Sequence, residues 1–182
     1  GLKVGRKVQF TNADYEHMEA MAETEHVTGR YGLWRSTNTI SYGTQSGTYD
    51  IRSTHPDHVY LENTVMDSGR FVNNLDLEDR RKVIVLGEGI TRELFPPKSP
   101  ILGEYVILNE FPFRVVGTFH DEGNDRENSK AYIPITTGQM VFNGGEDIHT
   151  LMTTIGDASV EESMASANKI KSDIARKYKF DP

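Results

Sequence analysis

The segment RKVIVLGEGITRELFPPKSPILGEYVILNEFPFRVVGTF, residues 81–119, decides the fold of this chain. Lys82–Leu86 contains a short apolar run that is typical of a strand buried on both faces. Gly87–Phe95 follows it and predicts a short helix. Pro96 must end that helix, because proline lacks a backbone N–H and its ring clashes with the preceding turn. The segment therefore opens with a strand that runs directly into a helix.

The second half of the same segment predicts a β-hairpin. Glu104–Asn109 and Phe111–Phe119 are two alternating runs joined by a tight connection around Asn109-Glu110. The alternation places two apolar side chains on one face of the first arm and two more across from them: Tyr105 and Ile107, then Phe113 and Val115. No residue combination in the segment is typical of catalysis.

A helix and a group of short strands are predicted before this segment. Thr11 followed by Asp14 is the pattern of a hydroxyl and then an acid that begins many helices. In the range Val27–Ile51, aromatic and β-branched residues are interrupted by glycines, which predicts two strands with a turn near residues 43–47. His58–Leu61 is expected to be a further extended piece.

The region after the hairpin predicts further strands and helices. His120–Lys130 is polar and is expected to form a mobile loop. Strands at Ala131–Ile133 and His149–Ile155 flank a helix that follows Pro134. A last helix begins at Ser159, where the sequence fits a capping box. Its apolar stripe consists of Val160, Met164, Ala167, Ile170 and Ile174. This order of elements predicts an α+β fold.

The composition limits the possible functions. The chain has 182 residues, of which 36% are hydrophobic and 26% charged, as in a globular domain. No run approaches the roughly 20 apolar residues that span a bilayer, and no signal peptide is recognisable, so we expect a soluble segment of a longer protein. The absence of cysteine excludes disulfides and thiol chemistry. The net charge of −7 argues against nucleic acid as a partner.

One glycine-rich motif resembles a nucleotide site. Gly87-Glu88-Gly89 stands between a strand and a helix, like a dinucleotide-binding turn, but Arg92 occupies the place of the third small residue. The carboxylates of Glu88 and Glu93 would also lie toward the helix N-terminus, where a pyrophosphate has to bind. We therefore predict a tight turn and no cofactor.

Two groups of possible metal ligands are also expected to be solvated turns. His55-Pro56-Asp57-His58 holds three ligand types, but neighbours on an extended segment point to alternate faces. A metal site there is the alternative. The acidic residues after His120 do not have the spacing of an EF-hand. No metal ion is predicted.

The sequence contains no enzyme signature. A Gly-x-Ser-x-Gly elbow is absent, and Ser166–Lys169 fits Ser-x-x-Lys only on a predicted amphipathic helix without a partner motif. Trp34 with Tyr31 and Tyr42 could form an exposed aromatic platform, although aromatics that alternate on strands are more typical of half-buried sheet positions. We therefore predict that the chain is not an enzyme.

Seven short motifs follow one another between Met66 and Thr137. They are Gly69-Arg70-Phe71, Asp76–Asp79, Val83–Gly87, Leu94-Phe95, Pro100–Gly103, Phe113–Gly117 and Tyr132–Thr136. In this order they resemble the periplasmic core domain of MacB-like, FtsX-type permeases of ABC transporters. The chain departs from the family pattern in its longer step from Pro100 to Gly103 and in having Asn109-Glu110 at the hairpin tip, both of which concern loop geometry.

The resemblance implies a two-part α+β fold. Both chain ends, residues 1–93 and 144–182, would form a porter-like α/β subdomain, and residues 94–143 would form an inserted β-rich subdomain. The resemblance also places the segment at the periplasmic face of the inner membrane. There it would be attached to two flanking transmembrane helices that lie outside this segment.

The same resemblance implies a non-catalytic function without cofactors. The domain would couple cytoplasmic ATP hydrolysis to periplasmic conformational change and would dock partner proteins for efflux or export. The implied partners are an ABC ATPase subunit or fused domain, a periplasmic adaptor (membrane fusion protein) and a second permease subunit in a homo- or heterodimer. Neither the cargo nor the adaptor follows from the sequence.

We expect the adaptor to bind the inserted subdomain. The expected rim charges are Arg114, Asp121, Glu122, Asp125 and Arg126. The alternative function is a periplasmic ligand- or peptide-binding module that uses Trp34 and the nearby tyrosines. A concave apolar pocket with converging polar groups would favour that alternative, whereas a flat polar face would favour the transmission domain.

Overall fold

The computed structural model describes residues 9–21, 24–33, 38–155 and 169–176. The strands are β1 (Phe10–Thr11), β2 (Thr24–Leu33), β3 (Thr39–Tyr42), β4 (Gln45–Thr48), β5 (Asp50–Thr54), β6 (Thr64–Gly69), β7 (Val83–Gly87), β8 (Tyr105–Leu108), β9 (Phe111–Asp121), β10 (Lys130–Pro134), β11 (Asp147–Ile148) and β12 (Thr150–Ile155). The helices are α1 (Asn12–Glu19), α2 (His58–Leu61), α3 (Asn74–Glu78), α4 (Glu88–Leu94), α5 (Ile135–Val141) and α6 (169–176), with a 3₁₀ helix at Asp125–Ser129. The α+β class predicted from the sequence is confirmed.

Among the described residues, ten strands form one mixed sheet: nine follow the order β12-β2-β5-β10-β7-β9-β8-β3-β4, and the tenth, β6, pairs with β9. The long strand β9 organises this sheet. β7 pairs parallel to one edge of β9, while β8 and β6 pair antiparallel to successive halves of the other edge. The sheet therefore runs without a break through both predicted subdomains.

The subdomain boundaries at residues 94 and 143 stay a prediction. Strand pairing joins β3 and β4 to β8 of the predicted insertion. It also sets β10 between β5 and β7 of the predicted porter-like part. The β-rich part is therefore assembled from two stretches of sequence.

The hairpin prediction is confirmed, with a correction to its faces. The tip is Asn109-Glu110, so Leu108 pairs with Phe111 and Val106 with Phe113. Asn109 adopts a φ of 54°, which asparagine tolerates better than most residues. Consequently Val106 and Leu108 are buried beside Phe113 and Val115, whereas Tyr105 and Ile107 pair with Arg114 and Pro112 on the opposite, exposed face.

Other predictions had mixed outcomes. Thr11 and Asp14 form the expected capping box at the start of α1. The prediction of an extended piece at His58–Leu61 is wrong, because these residues form the helix α2. The predicted loop after His120 is shorter than expected, since β9 continues to Asp121 and Asp125–Ser129 is a 3₁₀ helix. The predicted helix start at Ser159 lies outside the described residues.

Two apolar cores lie on opposite faces of the sheet. The larger contains β7 and β9 side chains packed under α4, with Ile84, Phe113 and Ile90 fully buried. The smaller is built around Tyr132, Phe119 and Val85. Because β7 contributes buried side chains to both cores, its apolar run is explained by burial on two sides.

The helices nearest the two chain ends pack together. Met18 of α1, Val27 of β2 and Ile170 of α6 share a small apolar cluster. His17 Nε2 lies 3.8 Å from Asp173 Oδ2, which adds a polar contact between α1 and α6. Both ends of the described chain are thereby attached to the same edge of the sheet.

Candidate partner-binding site

The structure separates the five residues expected at the partner-binding rim. Asp121, Glu122, Asp125 and Arg126 lie together after the end of β9, and the last three are exposed. Arg114 is exposed near the start of the same strand. Seven strand residues span roughly 23 Å, so Arg114 is far from the other four.

Asp121 has a structural role within the turn. Its Oδ1 accepts the backbone N–H groups of Gly123 and Asn124 at 2.8 and 3.1 Å. Its side chain is 6% exposed, and its own N–H donates to Oδ1 of Asn128 at 2.8 Å. The turn is therefore held at both ends, and Glu122, Asp125 and Arg126 are the side chains left on its surface.

A buried ion cluster supports this turn, and nothing in the sequence predicted it. Lys130 is 1% exposed, and its Nζ donates to Glu127 Oε2 at 2.5 Å and to Glu62 Oε2 at 3.2 Å. Arg52 reaches the same two carboxylates at 3.3 and 3.2 Å. The four charged residues of this cluster lie at the end of α2 (Glu62), in β5 (Arg52), in the 3₁₀ helix (Glu127) and in β10 (Lys130). The cluster therefore joins segments that are distant in sequence.

The electrostatics of the cluster are dominated by Glu62. Burial by itself raises the pKa of this carboxyl, but His58, Lys130 and Arg52 outweigh burial and hold the pKa far below its usual range. His58 is fully buried, with its Nε2 3.2 Å from Glu62 Oε1. Lys130 Nζ also lies 5.3 Å from the ring centre of Tyr132. The surrounding cations thus favour the carboxylate form of Glu62, although Nδ1 and Nε2 of the buried His58 make no hydrogen bond with the residues that the structure describes.

The glycine pair between β7 and α4 is filled by the protein itself. A Cβ on Gly87 would overlap the carbonyl oxygen of Asn128, and one on Gly89 would lie 2.9 Å from the same atom. The 3₁₀ helix thus occupies the space that a pyrophosphate would need. This confirms the prediction of a tight structural turn at Gly87-Glu88-Gly89.

The histidines of His55–His58 point to separate partners. His55 Nδ1 accepts the N–H of Gly29 at 2.8 Å, and its ring stacks on Tyr15. Burial lowers the pKa of His55 to about 4. Asp57 contacts His26, and His58 contacts Glu62. Within the described ranges no group of three histidine, aspartate or glutamate side chains is placed to hold a metal ion.

The Gly-Arg-Phe motif is explained by a buried salt bridge. Arg70 donates two hydrogen bonds to the fully buried Asp76, at 2.7 and 3.1 Å. The same carboxylate accepts the N–H of Asn73 and completes the capping box of α3. Gly69 has a φ of 69° and packs against the backbone of β9 so closely that a Cβ would overlap the Val116 carbonyl oxygen. The motif therefore fixes α3 to the sheet.

The aromatic platform expected for a binding module is not formed by its tyrosines. Tyr31 is buried, with its hydroxyl donating to the Phe142 carbonyl oxygen at 3.4 Å. Tyr42 stacks on Phe95 and donates to Glu104. Trp34 lies outside the described residues. The tyrosines are thus sheet residues, as the alternation on strands suggested.

One apolar cavity lies between α1 and α6. Its volume is about 400 Å³, and it is lined by four apolar side chains, Met18, Met21, Ile170 and Ile174, and by four polar ones, Asp14, His17, Asp173 and Arg176. Neither Tyr31 nor Tyr42, the tyrosines proposed for ligand capture, lines it. The cavity is a gap between two helices that these two tyrosines do not reach.

The sequence reasoning missed an exposed apolar face on the hairpin. Tyr105 and Ile107 of β8 are 61% and 39% exposed, and the preceding Leu102 is 44% exposed. The two-residue tip fixes the register that points Tyr105 and Ile107 outward. Working that register through from Asn109-Glu110 would have identified this face from the sequence.

Comparison with known proteins identifies the family. A family model described as MacB-like periplasmic core domain matches residues 3–170. The macrolide export ATP-binding/permease protein MacB of Rhodospirillum rubrum is 27% identical over 125 residues, covering 66% of this chain and 19% of that protein. The MacB protein of Nitrobacter winogradskyi is 25% identical over 164 residues, covering 87% and 25%. The chain therefore spans about a quarter or less of the length of these relatives.

Solved structures show the same fold. The periplasmic region of MacB from Actinobacillus actinomycetemcomitans superposes with a TM-score of 0.84 at 21% identity, covering 97% of this chain and 78% of that one. The extracellular domain of the noncanonic ABC-type transporter YknZ from Gram-positive bacteria gives 0.79 at 16% identity, covering 95% and 86%. No helix among the described residues is long and apolar enough to cross a membrane. The chain belongs to the family of MacB-like periplasmic core domains, the periplasmic part of ABC-transporter permeases.

Proposed function

We propose that this non-catalytic domain couples cytoplasmic ATP hydrolysis to conformational change in the periplasm and docks partner proteins for efflux or export. In the longer protein, transmembrane helices flank the segment and hold it at the periplasmic face of the inner membrane. The partners are an ABC ATPase, a periplasmic adaptor and a second permease subunit. Family membership supports this proposal, because the MacB relatives from Rhodospirillum rubrum and Nitrobacter winogradskyi are named as macrolide export ATP-binding/permease proteins.

The observation that carries the proposal is the mechanical continuity of the described chain. Beside the cavity between them, α1 and α6 both contact β2 through the cluster of Met18, Val27 and Ile170, and β2 is hydrogen-bonded into the sheet that extends to β4. Close-packed interiors have low compressibility and transmit displacement. A movement applied to α1 and α6 together would therefore displace the hairpin as part of one rigid body.

Distance measurements by electron paramagnetic resonance test this coupling. The 182-residue sequence contains no cysteine, so an introduced cysteine is the single labelling site in this domain. Glu16 on α1 and Thr48 on β4 are both exposed. Each is replaced by cysteine alone to measure distances between copies, and both are replaced together to measure the distance within one copy. The labels are placed in the full-length permease, reconstituted with its ATPase and compared in nucleotide-free and vanadate-trapped states. We expect the distance between equivalent labels on two copies to change while the Glu16-to-Thr48 distance within one copy stays constant.

Two results would contradict the proposal. Identical distances between copies in both nucleotide states would show that ATP hydrolysis does not move this domain. A change in the distance within one copy would show that the domain deforms and would exclude rigid-body transmission.

Docking through the turn after β9 is tested by charge reversal. Deleting the turn would break the Lys130 cluster, so the point variants E122K, D125K and R126E are preferred. If this turn forms the rim, each should weaken binding of the purified cognate adaptor by several-fold, since exposed charges contribute up to about 1 kcal/mol. R92E, at an exposed side chain of α4, is the matched control. Unchanged affinity in all three variants would remove the turn from the interface.

A further inference from the structure

The exposed hairpin face is an unusual surface for this chain. Leu102, Tyr105 and Ile107 are 44%, 61% and 39% exposed, and they lie next to each other through the turn and strand β8. On the opposite side of the same strand, Val106 and Leu108 are fully buried in the larger core. At β8 the sheet is thus covered on one side only, and the uncovered side carries the large apolar groups of Tyr105 and Ile107.

A shallow cavity continues this face. Its volume is about 450 Å³, and its walls are Gly69, Arg70, Leu102, Gly103, Arg114, Val115 and Val116. The guanidinium groups of Arg70 and Arg114 therefore both lie at this cavity beside Leu102. Arg70 is already engaged in its bidentate pair with Asp76. Arg114 is exposed and makes no side-chain hydrogen bond or ion pair with the residues that the structure describes.

The charge of the surface indicates what binds there. The chain carries a net charge of −7, yet the guanidinium of Arg114 on this apolar face forms no ion pair with any side chain in the part of the chain that the structure describes. A guanidinium pairs best with a carboxylate, which it binds through two parallel hydrogen bonds. Aromatic residues and arginine are also the residue types enriched in protein interfaces. Apolar contact and one anionic group are the complement of this face.

We propose that the hairpin face, formed by Leu102, Tyr105, Ile107 and Arg114, docks a segment of a partner protein that carries a carboxylate between apolar side chains. The inference rests on the proposed docking function and specifies the chemistry of the docked segment. Tyr105 and Ile107 contact the apolar side chains, and Leu102 closes the cavity in which Arg114 receives the carboxylate. Docking therefore occurs about one strand length away from the acidic turn after β9.

Peptide titration followed by NMR tests the proposal on the isolated chain. The probes are acetyl-Leu-Glu-Leu-Phe-amide and the matched peptide with Gln in place of Glu. The acidic peptide should perturb the amide signals of Leu102, Tyr105 and Arg114, and it should bind about three- to fivefold more tightly than the Gln peptide. R114Q should abolish that preference, whereas Y105S should weaken both peptides. R92Q, at an exposed arginine of α4, should leave both affinities unchanged.

The outcomes separate the docking chemistry from the function on which it rests. Equal affinities for the two peptides, a preference that survives R114Q, perturbations away from the hairpin face, or no perturbation at millimolar peptide would each overturn the inference. The peptide titration needs neither the ATPase nor the adaptor. Coupling in the full-length permease could therefore fail while the peptide still binds, and peptide binding could fail while coupling is observed.

Discussion

His55 should make the stability of this domain depend steeply on pH. Its imidazole is 5% exposed, it stacks on Tyr15 with 3.6 Å between ring centres, and its Nδ1 accepts the Gly29 N–H. An acceptor Nδ1 carries no proton, so the ring is neutral in the fold. Burial accordingly lowers the pKa of His55 from 6.5 to about 4.

The sign and the size of the effect follow from proton linkage. Between pH 6.5 and pH 4 the unfolded His55 binds a proton that the folded ring excludes, so unfolding takes up a proton. The stabilisation is complete above the unfolded pKa and is lost as the pH falls toward the folded pKa. The full difference amounts to about 3 kcal/mol, and about 2 kcal/mol of it is lost between pH 7.5 and pH 5.0.

Urea unfolding of the wild type, H55F and H55N at pH 7.5 and pH 5.0 measures this difference. Phenylalanine keeps the ring stacking and loses the acceptor for Gly29, whereas asparagine offers an acceptor and loses the stacking. Their absolute stabilities should therefore differ, but neither titrates. For both variants the stability deficit relative to the wild type should shrink by about 2 kcal/mol at the lower pH. A deficit that is equal at the two pH values in both variants would refute the reasoning.

Three further substitutions test other parts of the fold by urea unfolding. K130M should destabilise the domain by about 2–4 kcal/mol, because it leaves the partly buried carboxylates of Glu62 and Glu127 without their ammonium partner. The control K171M, at an exposed site on α6, should change stability by less than about 0.5 kcal/mol. G87A should be strongly destabilising because the added Cβ overlaps backbone, whereas G32A, with open space around it, should be tolerated far better; equal effects would contradict the packing of the 3₁₀ helix. D76N should cost about 1–3 kcal/mol through the lost charge pair with Arg70, and no loss would show that this pair is solvated.

Local sequence signals predicted those elements that are stabilised locally. The capping box at Thr11 and the hairpin tip at Asn109-Glu110 depend on residues a few positions apart, and both are confirmed. His58–Leu61 was misassigned because four residues are too few to show helical periodicity. A sequence pattern that is complete within a few residues therefore predicts its element, whereas an element too short to show its hydrophobic period cannot be assigned from the sequence.

The buried cluster was unpredictable for a different reason. Lysine is rarely buried, and Lys130 was expected at the end of a polar, mobile loop, but the structure buries it. Its burial depends on Glu62, 68 residues earlier, and on Arg52 beside that carboxylate. Such pairings arise from the strand order β5-β10-β7, which no local pattern encodes. No local pattern predicts the contact between the Asn128 backbone and Gly87 either, because the two residues are distant in sequence.

The cluster also restricts how the domain can act on a partner. The turn after β9 was expected to be mobile, but Glu127 is fixed by Lys130 and Asp121 by the N–H groups of the turn itself. A segment held by buried charges cannot reorganise without exposing them, which is expensive in free energy. Partner binding at the turn or at the hairpin face would therefore meet a preformed surface. Under the proposed coupling to ATP hydrolysis, we therefore expect a movement at these surfaces to displace the sheet as a whole, without rearrangement of the turn.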